Sequence, residues 1–262
     1  MEEKGIFDLS GRVALVTAGG RGLGQQFCLA VAEFGADVAC GDIRIEAARE
    51  TVELINKFGH RAIAIEADVS QPDQVERMVN QTVAELGTID ILFNNAGIPN
   101  PPVRIHEMSI EDWDMVMAID LRGMFLCMRA VLPVMLEKKR GVIINTASVA
   151  GLMAGGEEWS LPNAAPYGVA KAGVIALTRH AAVAYAKEGI RINAIAPGAH
   201  RTLPLGFPQE EMEKLDKKLS RFIPMGRLGK PSEIKGLAVY LASDASSYVT
   251  GQTFVEDGGF LA

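Results

Sequence analysis

Short apolar runs rich in β-branched residues alternate along the chain with longer stretches whose apolar residues recur at helical spacing. The runs predict strands at residues 13–17, 37–41, 61–66, 89–93, 142–146, 191–195 and 253–256. The longer stretches predict helices at residues 22–34, 45–58, 72–86, 111–136, 167–188 and 231–242. Strands that alternate with helices build right-handed βαβ units around a parallel sheet. No linker-like stretch divides the chain, so we expect one doubly wound α/β domain over residues 1–262.

Two of the predicted helices, 111–136 and 167–188, are apolar on nearly every face. A helix that is apolar all round has to be buried all round. One side can pack on the sheet, and the other side then needs a second subunit, which predicts an oligomer built on these two helices. The alternative is a large monomer core with scattered exposed apolar residues, which are common on protein surfaces.

The composition excludes several classes of protein. Hydrophobic residues make up 48% of the 262 residues and charged residues 22%, and the net charge is −6. These values are close to the averages for globular proteins. The chain lacks the basic stripe that nucleic-acid binding needs, an apolar run long enough to span a membrane, and the apolar core of a signal peptide. We therefore expect a cytoplasmic protein that binds neither nucleic acid nor membrane.

The cysteines and histidines do not predict metal chemistry. Cys28, Cys40 and Cys127 are isolated in the sequence, and no pair has metal-ligand or redox spacing. The four histidines lack ligand spacing as well. We expect three small, buried thiols in a reducing compartment, and no metal site.

A glycine-rich segment, residues 17–24, joins the first predicted strand to the first predicted helix. Glycines at such a turn let backbone N–H groups approach a pyrophosphate, and the helix N-terminus favours its negative charge. The spacing matches neither the G-x-G-x-x-G fingerprint nor a P-loop. On its own, the segment is therefore equally compatible with an ordinary tight turn between a strand and a helix.

Asp42 strengthens the cofactor interpretation, because it follows the second predicted strand. An acidic side chain there can accept hydrogen bonds from the adenosine ribose and repel a 2′-phosphate. Arg21 and Arg44 could instead meet a phosphate. Because the Asp42 carboxylate would occupy the position that the 2′-phosphate needs, we predict NAD, with NADP as the less favoured cofactor.

Further polar groups follow the third and fourth predicted strands, at Asp68–Val69 and residues 94–97. The carboxyl ends of parallel strands are where open α/β sheets bind their ligands. The second segment could equally be a plain asparagine-rich turn.

A candidate catalytic group consists of Ser148, which follows the fifth predicted strand, with Tyr167 and Lys171 at the start of a helix. The spacing of the last two puts both side chains on one face of that helix. A free tyrosine phenol, with a pKa near 10, is a poor base at neutral pH, and a nearby ammonium and nicotinamide ring stabilise its phenolate. A serine hydroxyl can hold the substrate oxygen meanwhile. Tyr-x-x-x-Lys alone is common as an exposed helix pair, but its position after Ser148 and a cofactor loop favours catalysis.

The chain resembles the short-chain dehydrogenase/reductase family over essentially its whole length, and the segments above are among those that carry the resemblance. The matching segments are 17–24, 68–69, 94–97, 148–151, 167–171, 191–194, 197–198 with Thr202, 226–227, Pro231, 241–244, 249–252 and 257–259. The resemblance implies a Rossmann-like fold, with a seven-stranded, mostly parallel sheet and helices on both faces. It also implies hydride transfer between NAD(H) and a secondary alcohol or ketone, by a homotetramer that assembles through helices 111–136 and 167–188.

The resemblance implies a role for each matching residue. Ser148 and Tyr167 would be catalytic, and Lys171 would bind the nicotinamide ribose and stabilise the tyrosine phenolate. Thr202 and the backbone near Pro197 and Gly198 would hold the carboxamide. The other cofactor-binding positions that it implies are Gly19, Arg21, Gly22, Leu23, Gly24, Asp42, Ile43, Asp68, Val69, Asn95, Ala96 and Gly97.

Three features depart from the family pattern. Ala18 replaces the first glycine of the usual loop, which is tolerated without strain if its φ is negative. Asp120 stands where the family usually has an asparagine whose backbone carbonyl supports a water chain to the lysine. We retain Asp120 as a catalytic residue because it keeps that carbonyl, although its charge could instead pair with Lys171 and retune the relay. The segment between Ser148 and Tyr167 is longer than usual.

The sequence does not narrow the substrate beyond a small-molecule secondary alcohol or ketone. Segments 98–105 and 152–166, and a lid at about 199–222, are expected to line the pocket. Trp159 could stack on a substrate ring or simply pack beside surface carboxylates. Two other functions stay open: an NAD(P)H-binding sensor without turnover, supported by Asp120, and a scaffold protein of the same fold.

Overall fold

The computed structural model describes residues 5–99, 103–154, 165–202 and 209–262. The strands are β1 (Val13–Thr17), β2 (Asp37–Asp42), β3 (Ala62–Glu66), β4 (Ile91–Asn94), β5 (Gly141–Thr146), β6 (Ile190–Pro197) and β7 (Thr253–Glu256). The α-helices of the described ranges are α1 (Gly22–Glu33), α2 (Ile45–Asn56), α3 (Pro72–Leu86), α4 (Ile110–Met117), α5 (Met124–Lys138), α6 (Ala165–Tyr185), α7 (Gln209–Leu219) and α8 (Lys235–Ala242). Most bounds agree with the sequence pattern to within a few residues, because the period of the apolar residues is a local property.

The seven strands form one sheet in the order β3-β2-β1-β4-β5-β6-β7, and every neighbouring pair is parallel. This is the doubly wound, Rossmann-like architecture that the sequence predicts. The direction of winding reverses between β1 and β4. In open α/β sheets, ligands bind in the crevice outside the carboxyl ends of the strands at such a reversal.

Helices cover both faces of the sheet, which explains why the central strands are apolar along their whole length. Every residue of β1, β4 and β5 is buried. On one face α1 and α8 pack on the sheet, and the rings of Phe27 and Phe93 stack with their centroids 4.8 Å apart. On the other face the core includes residues of α3 and α5.

The predicted helix 111–136 is not uniform. It consists of α4, a π-helical turn at Ala118–Gly123, and α5. A π turn inserts an extra residue into the helical register, and such turns are frequent at functional sites. Asp120 lies within this turn and is buried.

Two other predicted helices differ at their ends. The helix predicted at 167–188 is α6 followed by a 3₁₀ turn at Ala186–Glu188, and the one predicted at 231–242 begins with a 3₁₀ turn at Pro231–Ile234.

Within the described ranges, no helix is long and apolar enough to cross a membrane. Part of each segment that is expected to line the substrate pocket, including Trp159, lies outside the described residues.

Ala18 does not meet the condition under which an alanine in the glycine-rich loop is free of strain. Its φ is +49°, in the left-handed region, and not negative. For a residue with a Cβ this conformation costs roughly 1–2 kcal/mol, because the Cβ crowds the following carbonyl oxygen. The alanine is therefore held in this conformation by the surrounding loop at a cost in stability.

Replacing Ala18 by glycine is expected to stabilise the protein by about 0.5–1 kcal/mol, because the gain from relieved strain exceeds the entropy that glycine loses on folding. Thermal and urea unfolding measure this change. Ala84→Gly, at an exposed site inside α3, is the matched control and should destabilise by about 0.5–1 kcal/mol. Equal destabilisation by both variants would contradict the strain at Ala18.

Candidate active site

The glycine-rich loop lies at the carboxyl end of β1 and continues into α1. A Cβ at Gly24 would collide with the Ala18 carbonyl, and Gly22 has a φ of +58°. Arg21 is the N-cap of α1 but its side chain makes no capping hydrogen bond, and the first turn has no acidic residue. The loop therefore combines close backbone packing with a helix N-terminus that has neither a capping nor an acidic side chain in its own first turn, which suits an anionic group.

Asp42 joins this loop to the end of β2. Its Oδ2 accepts a hydrogen bond from the Gly20 N–H at 3.0 Å, and its Oδ1 accepts one from the Arg44 N–H at 3.0 Å. The Asp42 side chain is buried, whereas Ile43 and Arg44 are exposed. The carboxylate is thus fixed in position beside the glycine-rich loop.

The residues after β3 are engaged in local contacts. Asp68 Oδ1 accepts a hydrogen bond from the Ser70 N–H at 2.9 Å, and the Asp68 N–H donates to the Gln74 side chain. Val69 is buried against the π turn, where a Cβ at Gly123 would lie 2.9 Å from its Cγ2. These two residues shape the edge of the sheet where the cofactor is expected.

A threonine hydroxyl holds the residues after β4 against the end of β1. Thr17 Oγ1 accepts hydrogen bonds from the N–H groups of Asn95 and Ala96, at 2.8 and 3.1 Å. The Asn95 amide donates to the Thr17 carbonyl at 3.2 Å, and its oxygen accepts from Thr146 Oγ1 at 3.1 Å. Asn95 therefore connects the ends of β1, β4 and β5 by side-chain hydrogen bonds.

A buried ion pair lies next to these residues. Lys171 Nζ is 3.2 Å from Asp120 Oδ2, and the two side chains are 3% and 0% exposed. Lys171 Nζ also donates to the Thr146 carbonyl at 3.1 Å, and Asp120 Oδ1 accepts from the Ile98 N–H at 2.8 Å. Removing one partner of such a pair costs roughly 3–5 kcal/mol, because the other charge is left buried alone.

Burial raises the pKa of the Asp120 carboxyl above its ordinary value. The Lys171 charge and the Ile98 N–H act in the opposite direction and favour the carboxylate. Asp120 is thus paired with Lys171, which is the second of the two possibilities that the sequence left open for this residue.

Tyr167 lies next to this ion pair on α6, and Ser148 follows β5 at the start of a segment that packs on the same helix. The segment after Ser148 packs on the start of α6, since a Cβ at Gly168 would lie 3.1 Å from the Ala150 carbonyl oxygen. Ser148 Oγ accepts a hydrogen bond from the Ala150 N–H at 3.1 Å. Lys171 Nζ lies 5.5 Å from the centroid of the Tyr167 ring, on the same face of α6.

The predicted carboxamide-binding residues follow β6. Pro197 ends the strand, and the Gly198 N–H donates to the Glu256 carbonyl at 2.9 Å. A Cβ on Gly22 would lie 3.6 Å from the Cβ of Thr202. Thr202 therefore faces the glycine-rich loop across the crevice.

The hydrogen-bonding roles of several polar residues around the site were not found from the sequence. Thr17 and Thr146 serve as hydrogen-bonding partners, and a buried amide chain connects Asn94 Nδ2 to Asn145 Oδ1 at 3.1 Å and Asn145 Nδ2 to Thr178 Oγ1 at 2.9 Å. The signal that could have found these residues is a polar residue inside or at the end of an apolar strand. Such a residue is buried, and a buried polar group needs a hydrogen-bond partner.

The three cysteines are free thiols and are buried, as the sequence predicts. Cys28 and Cys40 nevertheless both lie under the glycine-rich loop, where a Cβ on Gly19 would be within 3 Å of either sulfur. Burial raises the pKa of Cys28, with a further contribution from Cys40, and burial raises the pKa of Cys127 to about 12. Such thiols are unreactive packing residues.

Comparison with known proteins finds relatives that match nearly the whole chain. A family model described as enoyl-(acyl carrier protein) reductase matches residues 17–261. Cyclohexanol dehydrogenase from Acinetobacter sp. (strain SE19) is 38% identical over 252 residues, covering 96% of this chain and 95% of the relative. The 3-oxoacyl-[acyl-carrier-protein] reductase from Synechocystis sp. (strain ATCC 27184 / PCC 6803 / Kazusa) is 39% identical over 257 residues, covering 97% and 98%.

A solved structure supports the same grouping. The crystal structure of a short-chain type dehydrogenase/reductase from Mycobacterium marinum has a TM-score of 0.89 and 38% sequence identity, and covers 97% of each chain. The chain belongs to the short-chain dehydrogenase/reductase family of oxidoreductases.

The close packing at the ion pair makes Gly97 sensitive to substitution. A Cβ there would lie 2.7 Å from Asp120 Oδ2 and 3.1 Å from Lys171 Nζ. Because both groups are buried and paired, Gly97→Ala is expected to destabilise the protein by about 1–3 kcal/mol, as overpacking does. Urea unfolding measures the change. Gly236→Ala, in α8 with nothing within 4 Å of the added carbon, is the control and should be neutral or stabilising. A stable Gly97→Ala variant would contradict the packing around this ion pair.

Proposed function

We propose that this protein is an NAD(H)-dependent oxidoreductase that interconverts a secondary alcohol and a ketone, with Ser148, Tyr167, Lys171 and Asp120 as its catalytic residues. The observation that carries the proposal is the buried Lys171 ammonium, which Asp120 and the Thr146 carbonyl hold 5.5 Å from the Tyr167 ring centroid. A buried cation next to a phenol stabilises its phenolate form. The same contact argues against a sensor without turnover. An aspartate at position 120 was the support for that alternative, and here Asp120 leaves the Lys171 ammonium next to Tyr167.

The residues of the crevice fit a nicotinamide dinucleotide. The packed glycine-rich loop and the N-terminus of α1 suit a pyrophosphate, and the Asp42 carboxylate suits the hydroxyl groups of a ribose. Thr202, across the crevice from Gly22, suits the carboxamide end. The other cofactor-binding positions implied by the resemblance lie in this loop and at the carboxyl ends of β2, β3, β4 and β6. When bound, the dinucleotide supplies the hydride acceptor or donor.

The protein side chains handle the proton and the substrate oxygen. Ser148 Oγ accepts from the Ala150 N–H, so its own hydroxyl hydrogen is left to donate to the substrate oxygen. The Tyr167 phenolate takes the proton of the alcohol, and the phenol returns it in ketone reduction. Asp120 offsets part of the Lys171 charge and keeps the ammonium directed at this site.

The substrate class stays at secondary alcohols and ketones. Relatives of nearly equal identity are named for cyclohexanol and for 3-oxoacyl groups. Identity therefore does not separate a ring alcohol from an acyl chain. Both substrate types, tested in the oxidation and the reduction direction, form the first panel.

We further propose that the whole chain is one catalytic domain with a lid at about 199–222, and that it assembles as a cytoplasmic homotetramer. The assembly would use helices α4, α5 and α6. These helices carry apolar side chains that one chain leaves exposed, namely Met115, Phe125, Val169 and Val183. A second subunit would remove these side chains from water.

Replacing Tyr167 by phenylalanine is expected to lower turnover at least 100-fold on any substrate found, because the proton-transferring hydroxyl is lost. NADH binding, followed by nicotinamide fluorescence, should stay close to that of the wild type. Tyr248→Phe, which removes a fully exposed hydroxyl, is the matched control. Turnover retained by Tyr167→Phe would exclude the proposed mechanism.

Replacing Asp42 by asparagine is expected to lower the ratio of kcat/KM for NAD over NADP roughly tenfold, since the charge that repels a 2′-phosphate is lost. The amide keeps one oxygen for the Gly20 N–H. Asp37→Asn, at the other end of β2, is the control. The same ratio in wild type and Asp42→Asn would remove the role assigned to Asp42. Asp42→Ala should reduce the preference further.

A further inference from the structure

A second acid–base contact lies in the segment between β6 and α7, away from Ser148 and Tyr167. The His200 side chain is 4% exposed, and its Nε2 lies 3.3 Å from Glu256 Oε2 at the end of β7. Its Nδ1 lies 3.1 Å from the Gly198 carbonyl oxygen. Within the described part of the chain, neither His200 Nε2 nor Glu256 Oε2 forms a well-aligned hydrogen bond, so the 3.3 Å contact between them is an electrostatic one.

The surroundings of His200 determine its charge. A backbone carbonyl only accepts, so His200 Nδ1 must carry a hydrogen. A neutral ring would then turn the lone pair of Nε2 towards the Glu256 carboxylate, and two acceptors would face each other. The arrangement is favourable when both ring nitrogens carry hydrogens, which is the imidazolium form.

Other charged groups near His200 agree with this form. Burial lowers the pKa of His200, but the Glu256 contact, the Gly198 carbonyl and the charge of Glu233 raise it, and the net shift is upward. Arg227 pairs with Glu233 at 2.7 Å and reduces that contribution. Two further charged residues, which follow His200 and Glu256 in the chain, bind other partners. Arg201 pairs with Asp216 of α7, and the Asp257 carboxylate accepts from the N–H groups of Gly259 and Leu261.

His200 is also packed tightly by backbone on its other side. A Cβ at Gly229 would lie 2.6 Å from His200 Cδ2, and the two residues form a parallel bridge. The Gly229 N–H donates to the Ala199 carbonyl at 3.0 Å, and the Arg201 N–H donates to the Gly229 carbonyl at 3.0 Å. The segment 198–202 is therefore held between the turn at residue 229 and the end of β7.

Three consecutive residues of this segment point to three different parts of the protein. His200 binds the end of β7, Arg201 binds α7, and Thr202 faces Gly22 of the glycine-rich loop. The Thr202 N–H donates to the His200 carbonyl at 2.8 Å. Thr202 is thus connected to His200 by a backbone hydrogen bond as well as by the chain itself.

We propose that His200, as an imidazolium paired with Glu256, is a positioning residue that holds Thr202 for dinucleotide binding, so that deprotonation of His200 weakens this binding. The inference rests on the proposed function, since it assigns a pH-dependent support to the same cofactor site. By linkage, a bound dinucleotide favours the protonated ring by the same factor.

The first measurement is a titration of the four histidines by NMR of ¹³Cε1-labelled protein, with and without saturating NADH. His200→Leu, which keeps an apolar side chain against Gly229, identifies the His200 signal by its loss. We expect the transition of His200 above pH 6.5, a lower transition in Glu256→Gln, and a higher one with NADH bound. A transition at or below pH 6.5 that Glu256→Gln does not move would overturn the charged pair.

The second measurement is the Kd for NADH from pH 6 to pH 10, by fluorescence or calorimetry, which needs no substrate. For the wild type we expect Kd to rise roughly five- to tenfold through the His200 transition. In Glu256→Gln the amide can donate to the neutral ring, so Kd should stay low and nearly independent of pH. In His200→Leu it should be high at every pH, and His60→Leu, before β3, should behave as the wild type.

Two results would contradict the positioning role. One is a wild-type Kd that stays constant while His200 titrates, and the other is His200→Leu with the wild-type pH dependence. A wild type that binds no dinucleotide at any pH would instead overturn the proposed function, while the NMR titration still decides whether the His200–Glu256 pair is charged.

Discussion

The buried ammonium of Lys171 is the constraint on which the site depends. A cation without access to water needs opposite charge and hydrogen-bond acceptors around it. Here the acceptors come from two directions, Asp120 from the π turn and the Thr146 carbonyl from β5, and Gly97 after β4 packs closely against the pair. Each of these elements must end or bend where it does for the charge to be compensated. The π turn is therefore a structural requirement of the pair, because Asp120 lies within this turn and meets Lys171 there.

The sheet topology explains why the remaining groups meet at the same edge. All strands are parallel, so their carboxyl ends share one side of the sheet. The glycine-rich loop, Asp42 and Asn95 occupy the ends of β1, β2 and β4 around the point where the winding reverses. Hydrogen bonds from Asn95 and Thr17 link the neighbouring strand ends. The strand ends that form the crevice are thus connected by hydrogen bonds of short side chains.

The Lys171–Asp120 pair and the His200–Glu256 pair differ in their surroundings. Lys171 and Asp120 are both removed from solvent, so neither charge can be lost without leaving the other alone. Glu256 is 28% exposed while His200 is enclosed, and histidine changes its charge within the physiological pH range. The first pair is suited to a permanent charge next to Tyr167. The second, at the base of the segment that carries Thr202, is suited to a charge that varies.

The sequence by itself determined the fold class, the approximate bounds of the strands and helices, and the candidate residues proposed for the site, although not their hydrogen-bonding partners. Apolar periodicity is a local property, and the order of the loop, Ser148, Tyr167 and Lys171 is read directly along the chain. Only the tertiary structure decided the positive φ of Ala18, the π turn at Asp120, and the pairing of His200 with Glu256. The physical reason is the same in each case. These features depend on contacts between residues far apart in the chain, and local propensity carries no information about such contacts.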